Sequence, residues 1–211
     1  MTSKRNRLFI VFEGIDGSGK STQIERLEKR LLSMGLSVHK TFEPTHGPIG
    51  AFLRRILSGE IRVDPNAVAH LFAADRTEHI LNSEYGIKRK MDQGSVVLCD
   101  RYYFSSFAYH GLEMDMERVI DLNAYNMYLL KPAVNIFIDI DPAKSFKRIE
   151  KCRKKLDLFE TEATMKQVRN LYFKAFERFK DQETVVAIDG GQSEPEVEKA
   201  VWNRIQHLFN D

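Results

Sequence analysis

The segment Gly14-Ile-Asp-Gly-Ser-Gly-Lys-Ser21 constrains this chain more than any other part of it. It satisfies the pattern GxxxxGK[ST] at every position. It follows an apolar run that ends at Glu13, and it opens the amphipathic stretch Ser21-Thr-Gln-Ile-Glu-Arg-Leu-Glu-Lys-Arg-Leu-Leu. A strand, a glycine loop and a helix in that order aim backbone N–H groups and the positive helix end at one anion. Glycine at 14, 17 and 19 lets the backbone curl around phosphates without Cβ clashes. In that geometry Lys20 reaches the β- and γ-phosphates of ATP and the Ser21 hydroxyl binds Mg²⁺. The expected ATP-binding set is therefore Gly14, Ile15, Asp16, Gly17, Ser18, Gly19, Lys20, Ser21 and Thr22. A plain glycine-rich turn is the bland alternative, and the flanking strand and helix count against it. Such a loop alone implies only nucleotide binding, which GTPases, ATPases, motors and small-molecule kinases share.

The rest of the chain alternates short apolar runs with long helical patterns, as expected for an α/β fold. The five predicted strands are Leu8–Glu13, Ser37–Phe42, Ser95–Cys99, Ala133–Ile138 and Thr184–Ile188, several of them apolar nearly throughout. Helices are predicted at 19–34, 48–58, 65–85, 115–130, 142–152, 161–181 and 194–209, with Pro65, Pro142 and Pro195 near three of the starts. This predicts a five-stranded parallel sheet flanked by helices, a P-loop NTPase fold, in one domain spanning 1–211. Right-handed crossovers put every strand's carboxyl end on one edge, where ligands of open α/β sheets bind.

Charge and cysteine usage narrow the partners. The 32 Lys and Arg against 30 Asp and Glu leave no global field that would draw the chain to nucleic acid or membrane. Cys99 and Cys152 match neither a disulfide framework nor a zinc site, which implies a reducing compartment. The apolar run Leu8 to Phe12 is too short for a signal-peptide core or a membrane span. A cytoplasmic protein is expected.

Two further clusters bear on chemistry. The third strand runs into Asp100-Arg101. A carboxylate there would face the metal beside the P-loop, so Ser21 and Asp100 are the predicted metal ligands. Arg101 would bridge two approaching phosphates, although an Asp-Arg pair capping a strand is the alternative reading. In the 65–85 helix, Val68, Leu71, Phe72 and Ile80 mark an apolar stripe that also carries Arg76. Either Phe72 is core, or its ring stacks on a base while Arg76 reaches the phosphate or a base carbonyl of the same nucleotide. The pairing with Arg76 favours the second.

With these residues placed, the chain resembles the thymidylate kinases from Phe9 to about Ile188. The likeness is carried by the GxDGxGKST loop, a Pro-containing turn, an LFxAxR helix, a DRY-type strand end and a basic lid. The matching residues are Asp16, Pro44, Phe72, Arg76, Asp100, Arg101, Tyr102, Ser105, Ser106 and Tyr109. The resemblance implies transfer of the γ-phosphoryl group of Mg·ATP to thymidine monophosphate (dTMP), and a homodimer. It also implies Asp16 near the acceptor's 3′-hydroxyl, Tyr109 against the 2′ position and Ser106 at the polar edge of thymine. The substrate-binding set it implies is Asp16, Phe42, Pro44, Phe72, Arg76, Arg101, Ser105, Ser106 and Tyr109. There are departures. Phe42 replaces an arginine common in bacterial members, His110 stands where glutamine is common, and Leu158 interrupts the usual end of the lid.

The lid is expected at 144–160. Between Lys144 and Lys155, the cations Lys144, Lys147, Arg148, Lys151, Arg153, Lys154 and Lys155 are opposed only by Glu150. Such a run is ordinarily a solvated helix face. Phosphoryl transfer changes the weighing, because Lys20 is the sole P-loop cation. The chain is similar in this to the family branch whose lid supplies the catalytic arginine, so Arg153 is expected at the transition state and Arg148 beside the adenine. The expected catalytic set is Lys20, Arg101, Arg153 and Asp16. Three rivals remain at this point: a kinase of another nucleoside or monophosphate, a nucleotide-dependent switch, and a nucleic-acid-binding ATPase.

Overall fold

In a computed structural model, residues 7–152 and 161–210 are described. Five strands form one parallel sheet: β1 Phe9–Glu13, β2 Ser37–Phe42, β3 Ser95–Asp100, β4 Val134–Asp139 and β5 Val185–Asp189. Their order across the sheet is β2-β3-β1-β4-β5. Among the described residues the helices are α1 Lys20–Ser33, α2 Pro48–Leu57, α3 Pro65–Leu81, α4 Ile87–Asp92, α5 Tyr103–His110, α6 Met116–Leu129, α7 Pro142–Cys152, α8 Glu162–Phe179 and α9 Glu194–Ile205.

The central strands are buried on both faces, and the alternation of their side chains divides the core. Ile10, Phe12, Val96 and Leu98 point to one side and pack with Ile24, Leu27 and Leu31 of α1 and Val197, Val201 and Ile205 of α9. Phe9, Val11, Val97 and Cys99 point to the other, against Phe104 and Phe107 of α5 and Val168 and Tyr172 of α8. The second side is aromatic: Phe107 stacks on Phe179 at 5.5 Å, and Phe137 meets Phe176 edge-on at 5.0 Å. Each fully buried phenylalanine contributes roughly 1.5–3 kcal/mol relative to exposure.

Each predicted strand and helix is present, β2 and α7 at their predicted bounds and the others with shifted ends. Pairing continues to Asp100 opposite Phe12 and to Asp189 opposite Asp139, so the sheet runs one residue past the predicted ends of β3, β4 and β5. The predicted 65–85 helix stops at Leu81, because the Asn82 side chain accepts from the backbone N–H groups of Glu84 and Tyr85 and turns the chain. Two helices were not predicted. One is α4, six residues long and too short to display a period. The other is α5, which has no local cap: Glu13 of β1 accepts from the N–H groups of Tyr102 at 2.9 Å and Ser105 at 3.3 Å. A helix start satisfied by a residue about ninety positions away leaves no N-cap signal in its own sequence. The lid expected at 144–160 begins within α7; Arg153, Leu158 and the rest of 153–160 lie outside the described residues. No helix among the described residues is long and apolar enough to cross a membrane.

Candidate functional site

β1 and β3 are neighbours, so their two loops emerge side by side, and the Arg101 N–H donates to the Phe12 carbonyl at 2.9 Å. The P-loop therefore sits directly against Asp100-Arg101. Its backbone needs glycine at two close approaches. At Gly14 (φ 145°) a Cβ would lie 2.7 Å from the Ile138 carbonyl oxygen. At Gly17 (φ 71°) it would lie 2.9 Å from the Ser145 carbonyl oxygen of α7. Lys20 is buried and donates to the carbonyls of Gly14 and Ile15, both at 3.1 Å. Burial, then the nearby Arg101 charge, pulls its pKa down. Ile15 itself is core, so only its backbone faces the loop.

The Ser21 hydroxyl donates to Asp100 Oδ2 at 3.0 Å. Asp100 Oδ1 is buried without a hydrogen-bond partner among the described residues, 3.9 Å from the Lys20 ammonium. A hydroxyl and an orphaned carboxylate oxygen are the hard oxygen donors that Mg²⁺ takes, so these residues fit that ion.

Arg101 is the hub of the site. It adopts φ 70°, a sparsely populated conformation for a non-glycine residue, which persists where surrounding contacts over-determine it. Its guanidinium donates to Asp16 at 2.5 Å, to the Tyr109 hydroxyl and the Gly14 carbonyl at 3.1 Å, to Ser105 at 3.1 Å and to Tyr172 at 3.3 Å. Burial opposes the ionised form of Asp16, but Arg101 and Lys20 outweigh it and hold its pKa down at about 2. Below Arg101 lies Glu13, wholly buried, which accepts from Ser105 Oγ at 2.6 Å and Tyr172 at 2.9 Å. Burial raises its pKa.

Two cavities open from this hub and share Asp16, Glu43 and Arg101 as a common wall. The larger, about 1130 Å³, holds residues 16–22 of the P-loop with Asp100, Arg148 and Gly190. Phe42 lines this cavity, edge-on to His46 at 4.6 Å, and does not line the smaller one. The smaller, about 200 Å³, is lined by Pro44, Leu57, Phe72, Arg76, Ser105, Ser106, Tyr109 and His110. Phe72 is partly buried, with its ring centroid 4.9 Å from that of His110. Burial, with a lesser contribution from Arg76, pushes the His110 pKa down to about 3.

Arg76 is fully buried, and the face of α3 that carries it also buries Asp75 and His79. The apolar stripe expected there is thus interrupted by charge. The anion that the sequence left to a ligand is supplied by the protein: Glu43 Oε2 accepts from Arg76 Nε at 2.8 Å and forms an ion pair with Nη2 at 2.6 Å. Arg76 Nη1 donates to Ser106 Oγ at 3.1 Å and to the Asn123 side-chain oxygen.

On the far side of the larger cavity, Arg148 reaches the carbonyls of Gly17 at 3.5 Å and Gly190 at 3.3 Å, and Ser145 donates to the Asp16 carbonyl. The first turns of α7 therefore rest on the P-loop. Glu13, Glu43, His79, Asn123, Ser145 and Tyr172 escaped the sequence reading. Only the glutamates gave a signal, each being acidic at or just beyond the end of a strand.

Comparison with known proteins agrees with this geometry. The family model for thymidylate kinase matches residues 12–201. A probable thymidylate kinase of Methanocaldococcus jannaschii is 37% identical over 174 residues, 82% of this chain and 84% of that one. One from Pyrobaculum calidifontis is 37% identical over 195 residues, 92% and 93% of the two chains. A thymidylate kinase of Desulfotalea psychrophila is 44% identical over 117 residues, 55% and 56%. The match spans the P-loop, the Arg101 hub and both cavities, and it places this chain in the thymidylate kinase family.

Proposed function

We propose that this protein transfers the γ-phosphoryl group of ATP to dTMP, giving dTDP and ADP. The observation that carries this reading is the wall shared by the two cavities. Asp16 and Arg101 stand between a P-loop cavity suited to a triphosphate and a smaller cavity with an aromatic ring and buried polar groups suited to a base. Two nucleotides bound there would meet phosphate to phosphate at Arg101.

The acceptor's phosphate oxygen is ionised near neutrality, its second pKa being about 6, so it attacks without a strong general base. A bond forms from that oxygen to the γ-phosphorus, the bond to the β–γ bridging oxygen breaks, and ADP leaves. Asp16, ionised far below neutral pH, is too weak a base for proton abstraction; its part is to orient Arg101 and the acceptor sugar. Lys20 exchanges its loop carbonyls for β- and γ-phosphate oxygens. Mg²⁺, held by Ser21 and Asp100, would neutralise charge on those phosphates. Phe72 stacks on the base, Ser106 keeps its own proton to donate to the base edge, and Tyr109 narrows the sugar site. Residues 144–160 close over the nucleotides and exclude water, with Arg148 beside the adenine and Arg153 neutralising the transferred group.

The protein is proposed to act in the cytoplasm as a homodimer. The stacked and exposed Tyr125 and Tyr128 of α6 give one helical face an apolar character that a second copy would cover. The test of function is ADP release from Mg·ATP across a panel of nucleoside monophosphates. Release with dTMP above the other monophosphates is expected; hydrolysis without any acceptor would refute the reading.

A further inference from the structure

The chain of buried contacts behind Arg76 does not end at Glu43. His79 lies one turn along α3 from Arg76, on the same buried face, and its Nδ1 is 3.0 Å from Glu43 Oε1. A carboxylate only accepts, so Nδ1 carries the hydrogen. In the neutral ring Nε2 is then an acceptor, and the Thr41 hydroxyl of β2 donates to it at 2.6 Å. Each oxygen of Glu43 is thereby committed, one to Arg76 and the other to His79.

We infer that His79 is a positioning residue for the acceptor nucleotide: its imidazole fixes the Glu43 carboxylate in the one orientation that holds Arg76 at the wall of the smaller cavity. This rests on reading that cavity as the acceptor's base site. The segment carrying Glu43 leaves the sheet at β2 and meets α3 through side chains, so a buried carboxylate there needs a donor at each oxygen to be held. Without the Nδ1–H donor, Glu43 Oε1 is left buried and unsatisfied. The carboxylate then rotates to find a partner, and the guanidinium that contacts Ser106 moves with it. His79 lines neither cavity, so its effect on the acceptor must pass through Glu43 and Arg76.

The test is steady-state kinetics with ATP and dTMP on His79→Leu, His79→Asn and His79→Gln, with the melting temperature of each. The asparagine amide nitrogen occupies the place of Nδ1 and keeps the bond to Glu43; glutamine reaches the place of Nε2 and keeps only the bond to Thr41. His79→Leu is expected to raise KM for dTMP about tenfold, with KM for ATP changing less than about twofold. His79→Asn recovers most of that loss and His79→Gln does not. A dTMP KM that stays within about twofold of wild type in both Leu and Gln variants would overturn the inference, as would losses that follow melting temperature alone with both KM values moving together. If the leucine variant does not fold, the contrast between Asn and Gln decides. An active wild type with insensitive variants sinks only the role of His79, whereas a wild type inactive toward every monophosphate removes the function on which it rests.

Discussion

On the P-loop side, the part of the larger cavity proposed to take phosphate is one unbroken stretch, residues 16–22, where a phosphate would be met mainly by backbone N–H groups and glycine, while Phe42, Asp100, Arg148 and Gly190 are among those lining the rest. On the opposite side, Glu43, Phe72, Arg76, Ser106 and His110 are contributed by the turn after β2, by α3 and by α5, and they are held by buried side-chain pairs. On the proposed reading the first wall recognises what all nucleoside triphosphates share. The second would carry the selectivity, and it is also the more fragile, because each buried pair needs both members.

That contrast can be broken from either side, and the largest effect is expected at the P-loop. Lys20→Met removes the ammonium proposed to reach the transferred group and should lower kcat about 10²- to 10³-fold, with a smaller change in the KM for dTMP. Rapid-quench measurement of the chemical step checks it. Phe72→Ala, on the other wall, should raise the KM for dTMP about tenfold while ATP binding is kept; calorimetric titration with each nucleotide separates the two, and weakened ATP binding alone would mean that the two cavities have exchanged roles.

The smallest effect concerns stability. The His110 pKa falls from 6.5 in the unfolded chain to about 3 in the folded protein, so between these values the unfolded state binds more protons. Stability is therefore lost as pH falls from about 6.5 toward 3. The melting temperature of wild type should drop more between pH 7 and pH 5 than that of His110→Gln, measured by calorimetry in matched buffers. Equal slopes would mean that His110 titrates normally in the fold.

The same difference between the walls explains what was legible in the sequence. The P-loop announces itself because its work is local: the glycines, Lys20 and Ser21 are contiguous and need no distant partner. Strands β1, β3 and β4 were equally plain, being apolar and bounded by turns. The acceptor wall was legible only in pieces. Phe72 and Arg76 stood out by helical spacing, but the partner of Arg76 is 33 residues away at Glu43, and the cap of α5 is further still at Glu13. Pairings of this kind leave no periodicity, and buried polar residues such as His79 and Tyr172 read as ordinary members of an amphipathic helix.

The central claim is that two nucleotides meet across Asp16 and Arg101, one on each wall. It is tested most directly by following the label of [γ-³²P]ATP in a single turnover with excess protein, Mg²⁺ and dTMP. The account predicts that the label passes into dTDP with no lag and little free phosphate. Label recovered only as inorganic phosphate, with dTMP untouched, would contradict it.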